Sequence, residues 1–175
     1  MNYNGTIYRP PIEAHTMLIP VTKGCTHNKC TFCNMYQNVT FHMWSLAEVE
    51  NYVAEVRDRY GRLAESIDRV YLVGADPFAL SAEKLLERIS LIKKYLPNVA
   101  VITMYARTDN IAHKTDEDLK RLKEAGVNDL YIGVECGLND VLADLNKGYS
   151  ADEDRRVAAQ VRSLGGNDRR LCEDR

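Results

Sequence analysis

Gly24-Cys25-Thr26-His27-Asn28-Lys29-Cys30-Thr31-Phe32-Cys33 places three cysteines within nine residues, directly after the short apolar segment Met17–Val21. Four residues separate the first pair and two the second. Three thiolates on one loop hold three corners of a metal cluster and leave any fourth corner to another ligand. An iron with no protein ligand binds and activates a small molecule. Zinc is the rival reading, with Cys25, His27, Cys30 and Cys33 as four tetrahedral ligands. Zinc sites typically draw on two separated pairs, however, and only one residue lies between Cys25 and His27. A cluster tolerates close cysteines because each binds a different iron. A thioredoxin-like pair would use Cys30 and Cys33 and leave Cys25 unexplained. The total of five cysteines is odd, unlike a disulfide framework. Cys136 and Cys172 stand alone and read as small buried or tail residues.

Outward from the loop, short apolar segments recur at Met17–Val21, Val70–Val73, Val99–Met104 and Asp129–Val134. Rich in Val, Ile, Leu and Tyr and bounded by Gly, Pro or Asn, they suit buried strands. Helical patterns lie between them. Leu46, Val49, Val53, Val56, Tyr60 and Leu63 form one apolar stripe behind a Ser45/Glu48 capping box. Leu85, Leu86, Ile89, Ile92 and Leu96 mark a second helix, with Ser81 as N-cap and Pro97 past its end. Thr115 caps a third that stops at Gly126, and Ser150 with Glu153 opens a fourth. Alternation of this kind predicts βαβ units, hence a parallel sheet with right-handed crossovers. Ligands bind such sheets at the carboxyl ends of the strands. The cysteine run, Gly74-Ala75-Asp76-Pro77, Tyr105–Asn110 and Glu135-Cys136-Gly137 therefore meet on one rim.

The 175 residues amount to one domain, 45% hydrophobic, with a net charge of −2 that gives no basic character suited to nucleic acid. Met1–Pro11 lacks the pattern of a secretory signal, and no apolar run approaches the ~18 residues of a membrane helix, so a cytoplasmic location is expected.

The segment Thr22–Tyr36, with Phe32 before Cys33 and Asn34-Met35-Tyr36 after it, resembles the cluster loop of the radical S-adenosylmethionine (SAM) enzymes. Its four-residue first spacer, one longer than the commonest form, resembles one branch of that superfamily. Gly74-Ala75-Asp76-Pro77 resembles the family's Gly-Gly-Glu-Pro type motif after the second strand. Tyr131-Ile132-Gly133-Val134-Glu135-Cys136-Gly137 resembles its fourth-strand motif, followed by Val141-Leu142 and Asn146-Lys147-Gly148. The likeness runs from about Leu18 to Asp154. It implies a partial (β/α) TIM-type barrel, an α/β fold, with about four of six expected parallel strand–helix units present. It also implies that Cys25, Cys30 and Cys33 hold a [4Fe–4S] cluster whose fourth iron takes the methionine part of SAM. Reductive cleavage of SAM to a 5′-deoxyadenosyl radical would follow, fed by an electron donor such as flavodoxin or ferredoxin. Phe32, Gly74, Ala75, Asp76 and Glu135 would contact SAM. Phe32 would pack on cluster and adenine, or else fill core. Asp76 would face the SAM ammonium in place of the family's glutamate, or else act as a helix N-cap.

By this reading residues 1–16 are an N-terminal extension, 17–154 an incomplete core, and 155–175 an atypical tail. From Arg155 onward there are six arginines and no lysine. No fifth or sixth unit is visible, and a truncated or frameshifted reading frame would give such an ending, with an inactive product. An uncovered sheet edge would then call for a partner, such as a second copy of the chain. A zinc-stabilised module and an iron–sulfur carrier that never cleaves SAM remain the alternatives. Substrate is not legible.

Overall fold

The structure, a computed structural model, describes residues 6–163 and, as backbone, 167–171. In chain order the strands are β1 (Met17–Pro20), β2 (Thr22–Lys23), β3 (His42–Met43), β4 (Arg69–Val73), β5 (Val101–Ala106), β6 (Val127–Gly133) and β7 (Asn167–Leu171). The helices are α1 (Leu46–Tyr60), α2 (Ala82–Tyr95), α3 (Thr108–Ala112), α4 (Asp116–Glu124), α5 (Asn139–Asp144) and α6 (Ala151–Ser163). All four expected strand segments pair in parallel in the order β1-β4-β5-β6. Each strand lies beside its predecessor with a helix in the crossover, the progressive arrangement of a (β/α) barrel segment.

Local sequence explains the elements. Ser45 Oγ accepts from Glu48 N at 3.3 Å while Ser45 N donates to the Glu48 carboxylate at 2.8 Å, the reciprocal capping box that opens α1. Such a cap contributes about 1 kcal/mol. Ser81 and Thr115 cap α2 and α4 through the backbone N–H groups of Lys84 and Asp118. Pro20, which has no N–H to donate, sits in the edge strand β1, where its loss breaks no central ladder.

The two faces of the sheet differ in chemistry. Ile19, Val70, Leu72, Ile102, Met104, Leu130 and Ile132 point outward beneath the helices and form the main core with Val49, Val53, Leu85, Ile89, Ile92 and Leu122. The opposite, concave face carries Tyr71, Val73 and Tyr131, with Leu18, Tyr105 and Ile7 packed on them.

The segment expected as an N-terminal extension packs on this concave face. Ile7 joins the tyrosine cluster, and Glu13 is fully buried. Its carboxylate accepts from Arg69 Nε at 3.1 Å and Nη2 at 2.6 Å, from Thr103 Oγ1 at 3.0 Å, from Thr16 Oγ1 at 2.5 Å, and from the Tyr131 hydroxyl. Arg69 also reaches Asp129 at 2.9 Å. These residues lie toward the amino ends of the strands, so the network plugs the end of the half-barrel away from the cysteines.

Beyond Asp154 the structure departs from the expected tail. Helix α6 is the helix expected behind Ser150 and Glu153, whereas β7 adds a fifth parallel strand beside β6, where no fifth strand was expected. Asn-Asp-Arg-Arg-Leu has no apolar alternation, and a ladder needs only backbone groups, so hydropathy gives no sign of it. Cys172 lies outside the described residues.

Candidate functional site

The loop between Gly24 and Phe41 is closed at its base by the two-residue antiparallel ribbon of β2 and β3. Gly24 turns the chain there with φ +75°, and a Cβ at that position would come within 3.0 Å of the Thr40 carbonyl. Inside the loop, Asn28 Nδ2 donates to Tyr36 O at 2.8 Å and Cys33 N donates to Cys30 O at 3.3 Å. The result is a folded loop at the carboxyl end of β1 that holds Cys25, Cys30 and Cys33 half-buried.

All three cysteines line one cleft of about 180 Å³. Phe32, Ala75 and Glu135 line it too, so the ends of β1, β4 and β6 meet as the topology predicts. Glu135 has φ +61°, an uncommon conformation for a side chain of its size, and pairs through Oε1 with Lys147 Nζ at 2.6 Å. Both members of this pair are largely buried, with side chains 13% and 8% exposed. Lys147 Nζ also lies 5.5 Å from the Phe32 ring centroid. Burial pushes the Cys30 thiol upward in pKa, and Lys147 and Arg107 pull the other way. Burial is the larger effect, so the two cations temper the rise without reversing it.

Asp76 does not line the cleft with its neighbour Ala75. Its side chain is fully buried and makes no cap to the turn it precedes. Asp76 Oδ2 accepts from Thr26 Oγ1 of the cysteine loop at 2.9 Å and from Asn110 Nδ2 at 2.5 Å. Oδ1 is buried with no hydrogen-bond partner among the described residues. Burial raises its pKa to about 6, against the lowering effect of Thr26, Arg107 and Asn110. Gly74 serves close packing: a Cβ there would fall 2.0 Å from Thr22 Oγ1. Arg107 pairs with Asp109, as its place after β5 suggests, yet it also lines the cleft and donates to Lys147 O at 2.8 Å.

Sequence reading missed Tyr8, Met35, Tyr36 and Lys147 as cleft-lining residues, whereas Tyr105 lies in a segment it placed on the rim. Lys147 had a visible signal, its place in the Asn146-Lys147-Gly148 run. Tyr8 had none, because only the return of the N-terminal segment across the concave face brings it beside Tyr36, at 5.4 Å between ring centroids.

The donor set suits a cluster better than a single ion. Among the described residues no three His, Cys, Asp or Glu side chains stand close enough to share one metal. His27 Nε2 is engaged with the Asn146 carbonyl at 2.6 Å. Thiolates that each bind a different iron are spaced more widely than the ligands of one zinc. Beside them, a paired carboxylate and ammonium with an aromatic wall match a zwitterion joined to a flat ring.

A family model described as "Radical SAM superfamily" matches residues 19–173. The chain is 24% identical over 167 residues to 4′-phospho-dehydrooxetanocin synthase of Priestia megaterium, a match covering 86% of this chain and 22% of that protein. Among solved structures, the cobalamin-dependent S-adenosylmethionine radical enzyme OxsB with aqua-cobalamin bound superposes with TM-score 0.72 at 19% identity, covering 87% of this chain and 23% of that one. With both aqua-cobalamin and S-adenosylmethionine bound, that enzyme matches at TM-score 0.67 and 21% identity, covering 89% and 23%. The chain therefore spans under a quarter of the length of these relatives. Among the described residues no helix is long and apolar enough to cross a membrane.

Proposed function

Because the chain belongs to the radical SAM superfamily, we propose that Cys25, Cys30 and Cys33 each bind one iron of a [4Fe–4S] cluster, with SAM held in the adjoining cleft. The observation that carries this reading is the gathering of the three cysteines in one cleft with the Glu135–Lys147 pair. With cluster and SAM bound, the chemistry supplied is reductive cleavage of the sulfonium to a 5′-deoxyadenosyl radical that takes hydrogen from a substrate.

The chain's own residues bind, orient and shield. With SAM bound, Lys147 would donate to its carboxylate and Glu135 would accept from its polar N–H or O–H groups, each giving up part of the pairing seen in the cleft. Phe32 and Tyr36 supply apolar surface for the adenine and keep water from the cysteines. Ala75 offers only backbone and a methyl group at the rim. Asp76, turned into the protein behind that rim, braces Thr26. The half-exposed cysteines leave a route for an electron from a small carrier of flavodoxin or ferredoxin type.

Anaerobic reconstitution with iron and sulfide, followed by absorption and electron paramagnetic resonance, tests the metal. The expected result is one [4Fe–4S] cluster per chain, lost in Cys33→Ala, with a resonance that changes on adding SAM. A protein that binds one zinc and accepts no cluster would sink this reading. 5′-Deoxyadenosine formed by the reduced protein separates SAM cleavage from a cluster that only carries electrons.

A further inference from the structure

Four hydrogen bonds join the cysteine loop to the turn that ends α5, across more than a hundred residues of chain. Thr31 N donates to Leu145 O at 3.0 Å, and Thr31 Oγ1 to Asp144 O at 3.2 Å. Asn146 Nδ2 donates to Lys29 O at 2.9 Å. His27 Nε2 lies 2.6 Å from Asn146 O, and since a carbonyl only accepts, this nitrogen carries the proton. The bonds fall on alternate residues 27, 29 and 31, covering the spacer after Cys25 and both neighbours of Cys30.

The turn is shaped for this contact. Asn146 adopts φ +50°, which aims its amide and its carbonyl at two different residues of the loop. Gly148 adopts φ +85°, and a Cβ there would stand 2.8 Å from His27 Cε1, so the glycine makes room for the ring. Between them Lys147 reaches Glu135 in the cleft. The loop's own secondary structure is the short ribbon at its base, so beyond its internal bonds and the Thr26–Asp76 bond its far side is held by this turn.

We propose that Asp144–Gly148 is a clasp that preforms the cysteine loop, with Asn146 and His27 as positioning residues that hold Cys30 in register with Lys147. Every bond of the clasp joins protein groups alone, so holding the loop needs no metal, which lowers the ordering cost of taking one up. The consequence for the cluster rests on the function proposed above, whereas the preformed loop does not.

Three substitutions isolate the clasp. Asn146→Gly keeps the positive φ and the carbonyl that His27 uses, and removes only the amide. His27→Ala removes the ring, and His27→Gln offers an amide donor in its place. In cluster-free protein the Thr31 amide is expected to be protected from hydrogen exchange, and Asn146→Gly with His27→Ala to speed its exchange by about 10-fold or more. In reconstituted protein the same double variant is expected to lose its cluster to an iron chelator about 5-fold faster. Amides of β4 and β5 should keep their protection, which a general loss of stability would not spare. His27→Gln should restore part of both effects. An unprotected Thr31 amide in the cluster-free parent would overturn the proposal, as would a double variant matching the parent in both measurements. A protein that never accepts a cluster yet shows the Thr31 effect would support the clasp and refute the cluster.

Discussion

Glu13→Gln tests whether the buried carboxylate is the bolt of the half-barrel. The ionised side chain accepts from Arg69, Thr16, Thr103 and Tyr131, and burial, which alone would raise its pKa, is outweighed so that it titrates at about 2 in place of 4.5. That difference of roughly 2.5 pKa units corresponds to about 3 kcal/mol of stability. Because the folded value is depressed, the contribution is present in full above pH 4.5 and is lost as pH falls through 2. Glutamine fills the same volume but accepts through one oxygen, and it turns its NH2 on groups that already donate. Urea unfolding at pH 7 should therefore show a loss of about 3 kcal/mol, a midpoint lower by about 1.5 M for a slope near 2 kcal/mol/M. The gap between parent and variant should close as the titration is repeated toward pH 2. A loss under about 1 kcal/mol at pH 7, or a gap that does not narrow with acid, would refute the reasoning.

Asp76 has the opposite sign. Its folded pKa near 6 lies above the ordinary 3.8, so its ionisation costs stability as pH rises from 4 to 6, by about 3 kcal/mol in the limit. Asp76→Asn should flatten that part of the stability–pH curve, and a variant as pH-dependent as the parent would contradict it. Gly74→Ala drives a methyl into Thr22 Oγ1 and should lower the thermal midpoint by several degrees, in line with overpacking costs of about 1–3 kcal/mol. Thr22→Ala in the same chain should recover part of the loss. Lys147→Met removes the cation paired with Glu135 and should weaken SAM binding to the reconstituted protein about 10- to 100-fold by equilibrium dialysis. Unchanged affinity would remove Lys147 from the site.

What the sequence exposes and what it hides follow from the forces involved. The outward-facing core was legible because helices bury that side, which forces Val, Ile and Leu into period. The caps at Ser45, Ser81 and Thr115 were legible because a short polar side chain before an apolar stripe is a local device. The gathering of the cysteine loop with Ala75 and Glu135 followed from strand order alone. The concave face was not legible. Arg69, Thr103 and Tyr131 donate to a glutamate 56 to 118 residues away, Asp129 accepts from Arg69, and no local pattern announces such partners. β7 was hidden for a related reason, since its pairing is a backbone property beneath a charged sequence. Asp76 was placed by motif at the cofactor's edge; its Oδ2 is held by Thr26 and Asn110, while its Oδ1 has no hydrogen-bond partner among the described residues.

The bond from Glu13 to Tyr131 and the bond from His27 to Asn146 span 118 and 119 residues. During synthesis the N-terminal segment leaves the ribosome long before either partner exists. Until β6 has emerged, Glu13 has no Tyr131 to accept from, and until the turn after α5 has followed, His27 has no carbonyl to hold. The two ends of the barrel axis therefore close late and nearly together. A nascent chain paused before residue 127 would present β1, β4 and β5 with the Glu13 network still lacking Tyr131 and the thiol loop unclasped. That is the stage at which a chaperone would find the most to bind, and at which stray oxidants would find the cysteines least defended.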